Sequence, residues 1–534
     1  MQCVLLPFLQ LKAAKTMDKP LPSRGNFYSC RHAWLKEMGE AQRARLGHAA
    51  HEWVVHHKVY DLASYLDSHP GGRAWLELTK GMDVTPLFES HHVSDAKTQA
   101  VLRKFYVRNC KTTSSSSSAA AVPSAAPAPS APTRLETLPA AASTDSHQSN
   151  DDEAEADFSF LENGFFKTFK RRAAVVLEKA EDSSNRETPR GARGPTTEMR
   201  VLVWLLLCAW LLSLAWCCQK GAGFLPAVMA GVLLNALMGV GHNAMHTVPT
   251  WWRYLMDLSL FSSQEWMISH CISHHHYPGS QVDFEVAAIE PFIHSLYSGP
   301  PSNRFLPMYL WWVFCILGPF EVLARIMNVF LLRVQPLRWE NLLPFVELGV
   351  LMMKGGGGGG GGGGLGKWVV MHVVASVLMG LQALPLHHSE LAWTDGKDEL
   401  TLPPSLPASL PQTYGKDELS LPPSLPRHAG RPIDFGVHAL RATQDYDISE
   451  LPLLAKLVLF PFNHHRLHHL LPSVDESRLP LLEGVLKEVC REVGVEYVVY
   501  PWRELFLGTV RHWVDLGGGR RRRWAEKQKV KKRE

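Results

Sequence analysis

The chain carries 26 histidines, and the most suggestive of them are clustered. Three short segments repeat one theme: HNAMH at 242–246, HCISHH at 270–275 and HRLHH at 465–469. On a helix, residues i and i+4 share a face, so His242 with His246, or His270 with His274, can offer two imidazole nitrogens to one metal ion. Asn243 follows the first histidine where a zinc protease carries its glutamate base, so that chemistry is not indicated. Taken alone, HNAMH reads as readily as a hydrogen-bonded pair of helix histidines. Eight imidazoles in three clusters (His242, His246, His270, His274, His275, His465, His468 and His469) are harder to explain without a shared metal. Many neutral imidazoles and few carboxylates suit redox iron or zinc rather than magnesium or calcium.

A second chemistry precedes these clusters. VYDLASYLDSHPGG ends in His69-Pro70-Gly71-Gly72, and LFESHH brings His91 and His92 22 and 23 residues after His69. A histidine on a tight turn, followed by glycines that let backbone approach a flat macrocycle, fits one axial ligand of a haem iron. With a second imidazole on the other side, no site remains for oxygen and the group transfers electrons only. HPGG alone fits equally well a β-turn with exposed histidines.

The elements that must position these residues follow from hydropathy. The chain has 534 residues, 46% hydrophobic and 20% charged, so it is not disordered as a whole and has room for more than one domain. A mean hydropathy of −0.08 means that any membrane part is averaged against polar segments. Residues 201–218 hold no charge and are near the minimum length of a span, and a second apolar stretch covers 222–240. So short a connection predicts a helical hairpin, and the Lys/Arg excess at 164–200 places its outer ends in the cytosol. Residues 341–353, extended, and 368–386 complete four expected spans; 306–320 reads as a span or an interfacial helix.

Composition marks the remaining boundaries. Residues 1–45 give no clear fold signal, and 46–110 have a globular pattern. Residues 111–157 are Ser/Ala/Pro-rich and then acidic, a flexible linker with an end-to-end reach of roughly 35–40 Å. The membrane part is expected over 158–510. It is interrupted by a Gly-rich insertion at 354–366 and by the Pro-rich repeat GKDELTLPPSLP/GKDELSLPPSLP within 396–430, whose internal KDEL is not a retrieval address. A basic tail occupies 511–534. Nine Lys/Arg against two Glu in residues 517–534 give the tail +7, which leaves −3 for the rest of a chain of net charge +4. The body is therefore not a nucleic-acid surface, and no nucleic-acid partner is expected. Nine scattered cysteines without CxxC argue against a disulfide scaffold or a thiolate metal site.

The surroundings of HPGG resemble the cytochrome b5 domain over roughly 46–110: the Tyr60-Asp61-Leu62 strand, HPGG, Gly81-x-Asp83-x-Thr85, and Phe88 before the second histidine. HNAMH, HCISHHHYPGSQVDFE and NHHRLHHLLPSVD resemble the membrane fatty acid desaturase/hydroxylase superfamily over roughly 200–500, and most of the chain resembles the arthropod cytochrome b5-related group, which carries both parts. The fold so implied is a small α+β haem domain followed by an all-α membrane desaturase-like domain of about four transmembrane helices with cytosolic histidine boxes. The resemblance implies haem b held by His69 and His92, or His91, with Pro70, Gly71, Gly72 and Phe88 around it. It also implies two non-haem iron ions held by the eight box histidines, with His387 or His388 as a further ligand. O2 as co-substrate, a fatty acyl lipid as substrate, an NADH- or NADPH-dependent flavoprotein reductase as electron donor, membrane lipids as surroundings and the endoplasmic reticulum membrane as location complete the expectation.

Front-end desaturases typically carry HDxxH in the first box and Gln at the start of the third, where this chain has Asn243 and His465. Asp283 and Glu285 stand where they can orient ligand imidazoles or serve as ordinary loop acids. His276 extends the second box, while His438 and His372 read as packing residues. Two readings remain: an O2-dependent desaturase, with hydroxylase next, or a membrane-anchored haem electron carrier whose desaturase-like core does not turn over.

Overall fold

The computed structural model describes residues 30–110, 157–183, 193–247, 249–280, 282–287, 319–331, 333, 335–355, 362–392, 427–428, 431–449, 451–452, 455–456, 459 and 462–514. Residues 1–29 of the N-terminal extension, the linker over 111–156, the apolar residues 306–318, the glycines at 356–361, the Pro-rich repeat up to 426 and the tail from 515 lie outside the described residues.

The N-terminal part begins with helix α1 (Cys30–Leu46), then strands β1 (Trp53–Val55) and β2 (Lys58–Tyr60). Helices α2 (Arg73–Leu78), α3 (Thr85–His91) and α4 (Asp95–Leu102) follow, and strand β3 (Tyr106–Asn109) closes an antiparallel sheet of order β1-β2-β3. Alternation buries Trp53 and Val55 with Tyr60, Leu62, Phe88 and Leu102 in a small core, and the Trp53 indole N–H donates to Leu76 O at 3.1 Å. The β1–β2 turn places His56 and His57 at φ 49° and 56°, a backbone rare for non-glycine residues. Its cost is offset by partners: the His56 N–H donates to Thr85 Oγ1 at 2.9 Å, and the ring meets Glu89. The expected strand Tyr60-Asp61-Leu62 ends at Tyr60, because the Asp61 carboxylate turns to accept the Ala63 N–H.

The second part starts with α5 (Phe165–Ser183), an amphipathic helix whose Phe165, Phe166, Phe169 and Ala173 are buried. Helices α6 (Thr197–Cys217), α7 (Leu225–His246) and, further on, α9 (Gly362–His388) are long and apolar enough to cross a membrane. Thr196 caps α6 by accepting the Met199 N–H. Only 28% of the most apolar stretch of α6 is buried against 67% in α7, so α6 presents Leu205, Leu211 and Leu212 outward while α7 runs inside. Small residues permit the α7–α9 approach: a Cβ on Gly231 would stand 2.5 Å from Met371 O. Between them, α8 (Leu343–Gly355) covers most of the span expected over 341–353, and residues 356–361, into which that span would extend, lie outside the described residues. Its 13 residues rise about 20 Å, short of the ~30 Å hydrocarbon core, and the glycine run that follows has the poorest helix propensity after proline. Among the described residues there are therefore three spanning candidates.

After the spans come α10 (Phe435–Ala442), strand β4 (Asp445–Asp447), α11 (His465–Leu470), α12 (Glu483–Val493) and strand β5 (Val499–Pro501), which pairs in parallel with β4. These elements close over the ends of α7 and α9, where the histidines are.

The haem-type domain is packed against this second part. Helix α1 reaches both: Arg31 pairs with Glu321 at 2.6 Å, the Trp34 indole N–H donates to Val282 O at 2.9 Å, and Gln42 Oε1 accepts the Asp83 N–H at 3.0 Å. Helix α3 contributes Glu89, fully buried, whose carboxylate meets Lys167 Nζ at 2.8 Å and Lys170 Nζ at 2.7 Å from α5. Burial alone would raise its pKa, but the hydrogen bond from His56 and the two lysines hold it well below the usual carboxylate range. Removing one partner of such a buried set costs roughly 3–5 kcal/mol.

Candidate metal and haem sites

Each histidine box sits on an element that turns its rings one way. His242 and His246, four apart, occupy the last turn of α7. The second box forms a π-helix, Met267–His274, in which the His275 N–H donates to His270 O at 3.0 Å, a five-residue bond. In an α-helix His275 would point about 140° away from His270; the wider π winding brings them together, with Nε2 atoms 3.1 Å apart. In α11, His465, His468 and His469 share one face at i, i+3 and i+4. Arg466 anchors this short helix from its other side, donating to Thr443 O at 3.0 Å, Gln444 Oε1 at 2.7 Å and Val498 O at 2.7 Å.

All eight predicted box histidines converge, buried, in two groups. His242, His246, His270, His275 and His468 have ligand-capable atoms within 4.8 Å of one another; so do His274, His387, His465 and His469. His387, at the end of α9, joins the second group. His388 does not: its ring lies 5.9 Å from Trp513. Adjacent Nε2 atoms are 2.7 Å apart for His242–His270 and His387–His465, 3.1 Å for His465–His469, and 3.2 Å for His274–His387. Imidazoles bound ~2.0–2.1 Å from one ion place neighbouring nitrogens about 2.9–3.4 Å apart, close to this spacing. Burial, helped by neighbouring imidazoles, pushes His270, His275, His465, His468 and His469 well below the ordinary imidazole pKa, so their lone pairs are available at neutral pH. The donor set fits a pair of soft-to-borderline redox metals.

Three of the rings are also held from outside through Nδ1. His274 Nδ1 meets Asp283 Oδ2 at 2.9 Å, His270 Nδ1 meets Glu285 Oε1 at 2.9 Å, and His387 Nδ1 meets Ala442 O at 3.2 Å. A donor proton on Nδ1 leaves Nε2 free to face inward. His274 is the exception in charge: burial lowers its pKa, but Asp283 and Glu285 together more than compensate and push it up to about 9. Asn243, in place of the acid of HDxxH, donates from Nδ2 to Asp475 Oδ2 at 3.2 Å. That Asp475 belongs to LLPSVD and also caps the following 3-10 helix by accepting the Ser477 N–H, so an aspartate at 243 would set two buried carboxylates face to face.

In the haem-type domain, the Gly72 N–H donates to His69 O at 2.8 Å, which closes the tight turn, and Gly72 lies at φ +93°. A Cβ on Gly71 would stand 2.7 Å from the His69 ring, so the turn needs glycine twice. The His69 and His92 ring centres are 6.2 Å apart. Two imidazoles bound ~2 Å from opposite sides of one iron place their centres about 6.3 Å apart, so the pair fits a haem between them. Each Nδ1 is held by a backbone carbonyl, His69 by Gly72 O at 3.2 Å and His92 by Phe88 O at 2.8 Å, and Phe88 packs on His92 at 4.8 Å. His91 turns away from His69 and packs on Trp75.

The remaining sequence candidates fall elsewhere. His276 Nε2 accepts the Leu87 N–H from α3 at 2.8 Å. His438 packs on Phe158, and His372 lies 3.3 Å from Glu347 between α8 and α9. Sequence reasoning missed Glu89, Lys167, Lys170 and Arg466, which carry no local signal of burial.

Residues 220–501 match the Fatty acid desaturase family and residues 42–111 match the Cytochrome b5-like Heme/Steroid binding domain. The chain belongs to the fatty acid desaturase family and carries a cytochrome b5 domain in front. It is 26% identical over 449 residues to "Cytochrome b5-related protein" of Drosophila melanogaster, covering 82% of each chain. It is 23% identical over 477 residues to "Acyl-lipid (8-3)-desaturase" of Mortierella alpina, covering 87% of this chain and 93% of that one. To "Acyl-lipid (8-3)-desaturase B" of Dictyostelium discoideum it is 22% identical over 484 residues, covering 84% and 87%. No solved structure matches significantly. Family and fold together define a membrane-associated oxidoreductase of desaturase type with a haem-binding module.

Proposed function

We propose that this protein desaturates a fatty acyl lipid, using O2 at a two-iron centre and electrons from its own haem domain. The observation that carries the reading is the gathering of nine buried histidines into two groups with metal-like spacing beside a docked haem domain. In the proposed site, His242, His246, His270, His275 and His468 hold one iron, and His274, His387, His465 and His469 the other. A bound iron pair supplies O2 activation and the oxidising power to remove hydrogen from an unactivated C–H bond.

The protein's own residues do the rest. Asp283, Glu285 and the Ala442 carbonyl fix ring orientation and keep the Nδ1 protons in place. Burial of every box histidine excludes water from the reacting centre. His69 and His92 would hold a haem between them, and with an imidazole on each side the group would supply single-electron transfer. Helices α6, α7 and α9 hold the histidines at the bilayer surface, where an acyl chain is accessible. The basic segment before α6 supports a cytosolic position for that surface, within reach of an NADH- or NADPH-dependent flavoprotein reductase, and the endoplasmic reticulum is the proposed membrane.

The test is expression in a desaturase-deficient host followed by lipid analysis, with iron and haem measured on the purified protein. A new double bond and about two non-haem irons per haem are expected; a hydroxylated lipid assigns the alternative chemistry, and haem without other iron refutes the enzyme. His469→Ala should abolish product and leave the haem spectrum unchanged.

A further inference from the structure

His91, the first half of the His91-His92 doublet, has no place in either site described above, yet it lies between them. Its Nδ1 is bonded to Leu87 O at 3.1 Å, and its Nε2 is buried with no hydrogen-bond partner among the described residues. One side of the ring packs on Trp75, with centres 4.8 Å apart. On the other, the His246 ring of the first metal group lies 5.9 Å away, tilted by 31°. His92, the next residue, faces His69 across the haem position.

Three contacts hold this arrangement. The Leu87 N–H on α3 is bonded to the His276 ring, Glu89 two residues on is locked to Lys167 and Lys170, and Gly72 in the haem turn abuts Pro249, whose Cγ stands 2.6 Å from where a Cβ would lie. The first two are buried, and all lie within a few residues of a proposed ligand. A tethered domain that docks only by diffusion has no need of a buried ionic lock directly behind its haem face.

We propose that this docked pose is the electron-transfer state of the protein, and that His91 is the bridge through which an electron passes from the haem-side His92 to the metal-side His246. The inference rests on the two-iron reading above. Each passage turns one ferrous haem ferric and one ferric iron of the pair ferrous; the flavoprotein reductase, or dithionite in the test, restores the ferrous haem, and two passages reduce the pair. Tunnelling rates fall exponentially with the gap between donor and acceptor, so an imidazole filling that gap raises the rate without touching substrate. His91 is thus a positioning residue for electrons, and His276 a docking residue rather than a ligand.

The experiment uses the full-length protein loaded with haem and iron. The haem is reduced with a stoichiometric amount of dithionite under argon, and its reoxidation by the oxidised iron pair is followed from the haem absorbance. In the wild type this should be first-order and independent of protein concentration. His91→Leu should keep the low-spin haem spectrum, the iron content and the slow amide hydrogen exchange of residues 85–92, yet slow reoxidation roughly tenfold or more, the scale of small gaps at reacting sites. Glu89→Lys should speed exchange at 85–92 and make reoxidation depend on protein concentration. An unchanged rate in His91→Leu overturns the bridge, loss of its haem spectrum makes His91 a haem ligand instead, and fast exchange at 85–92 in the wild type overturns the docked pose. Wild-type protein that binds haem but no other iron refutes the two-iron reading and the bridge with it, while the exchange data still decide whether the domain is docked.

Discussion

Asp283 offers the sharpest test of how the second metal group is held. Its Oδ2 accepts from His274 Nδ1 at 2.9 Å and from the Gly279 N–H at 2.9 Å, while Oδ1 accepts the Glu285 N–H at 3.0 Å. Asp283→Asn keeps the shape and replaces a charge-assisted bond with a neutral one. It also loses one acceptor oxygen, so one of the two backbone N–H groups gives up its partner. Glu285, tied to that backbone and bonded to His270, loosens with it, so both metal groups feel the change. Removing a carboxylate that supports a ligand imidazole lowers metal affinity about 10–100-fold, or roughly 1.4–2.8 kcal/mol. The assay is iron retention by purified protein against a graded chelator, with the haem absorbance as an internal control because His69 and His92 are unaffected. The expected midpoint moves to about tenfold or more lower chelator concentration. A variant that holds its iron to the same concentration as the wild type refutes the argument that Asp283 orients a ligand.

His387→Ala should lower non-haem iron per haem, whereas His388→Ala, which alters only a ring against Trp513, should leave it unchanged; elemental analysis decides. His92→Ala should abolish the bis-imidazole haem spectrum and His91→Ala should retain it, as read by absorbance and electron paramagnetic resonance. The hydrogen bonds from Arg108, at 2.8 Å to Oε2, hold the Glu52 carboxyl at about 2 against an ordinary 4.5. A depressed carboxyl stabilises the fold above its unfolded value, so this contribution is full above pH 4.5 and fades as pH falls towards 2. Thermal melts of the wild type should therefore drop through that window, and Glu52→Gln should flatten the drop.

Much of the site could be read from spacing alone. HNAMH, HCISHH and HRLHH announce their chemistry because ligands on one helix face must recur at short fixed intervals, and HPGG announces a turn that only glycine permits. The spans α6, α7 and α9 were legible as charge-free stretches of sufficient length. Helix α1 was not. Its residues show little amphipathic contrast, and it is held by Arg31, Trp34 and Gln42 reaching partners more than forty residues away or further. His387 was legible only as a doublet with His388, since nothing local tells which ring will face inward. The lock of Glu89 with Lys167 and Lys170 joins residues some eighty positions apart, and in sequence each looks like an ordinary surface charge.

The π winding of the second box has a consequence for how this protein tolerates change. Regular α-helix is the more comfortable backbone, and a single-residue deletion between His270 and His275 would restore it. Such a deletion could firm up the segment while splitting the two rings that now meet, so thermal robustness and competence would part company there. Selection for sturdiness alone would erase the centre, because the wide turn costs backbone comfort in order to bring the two rings together.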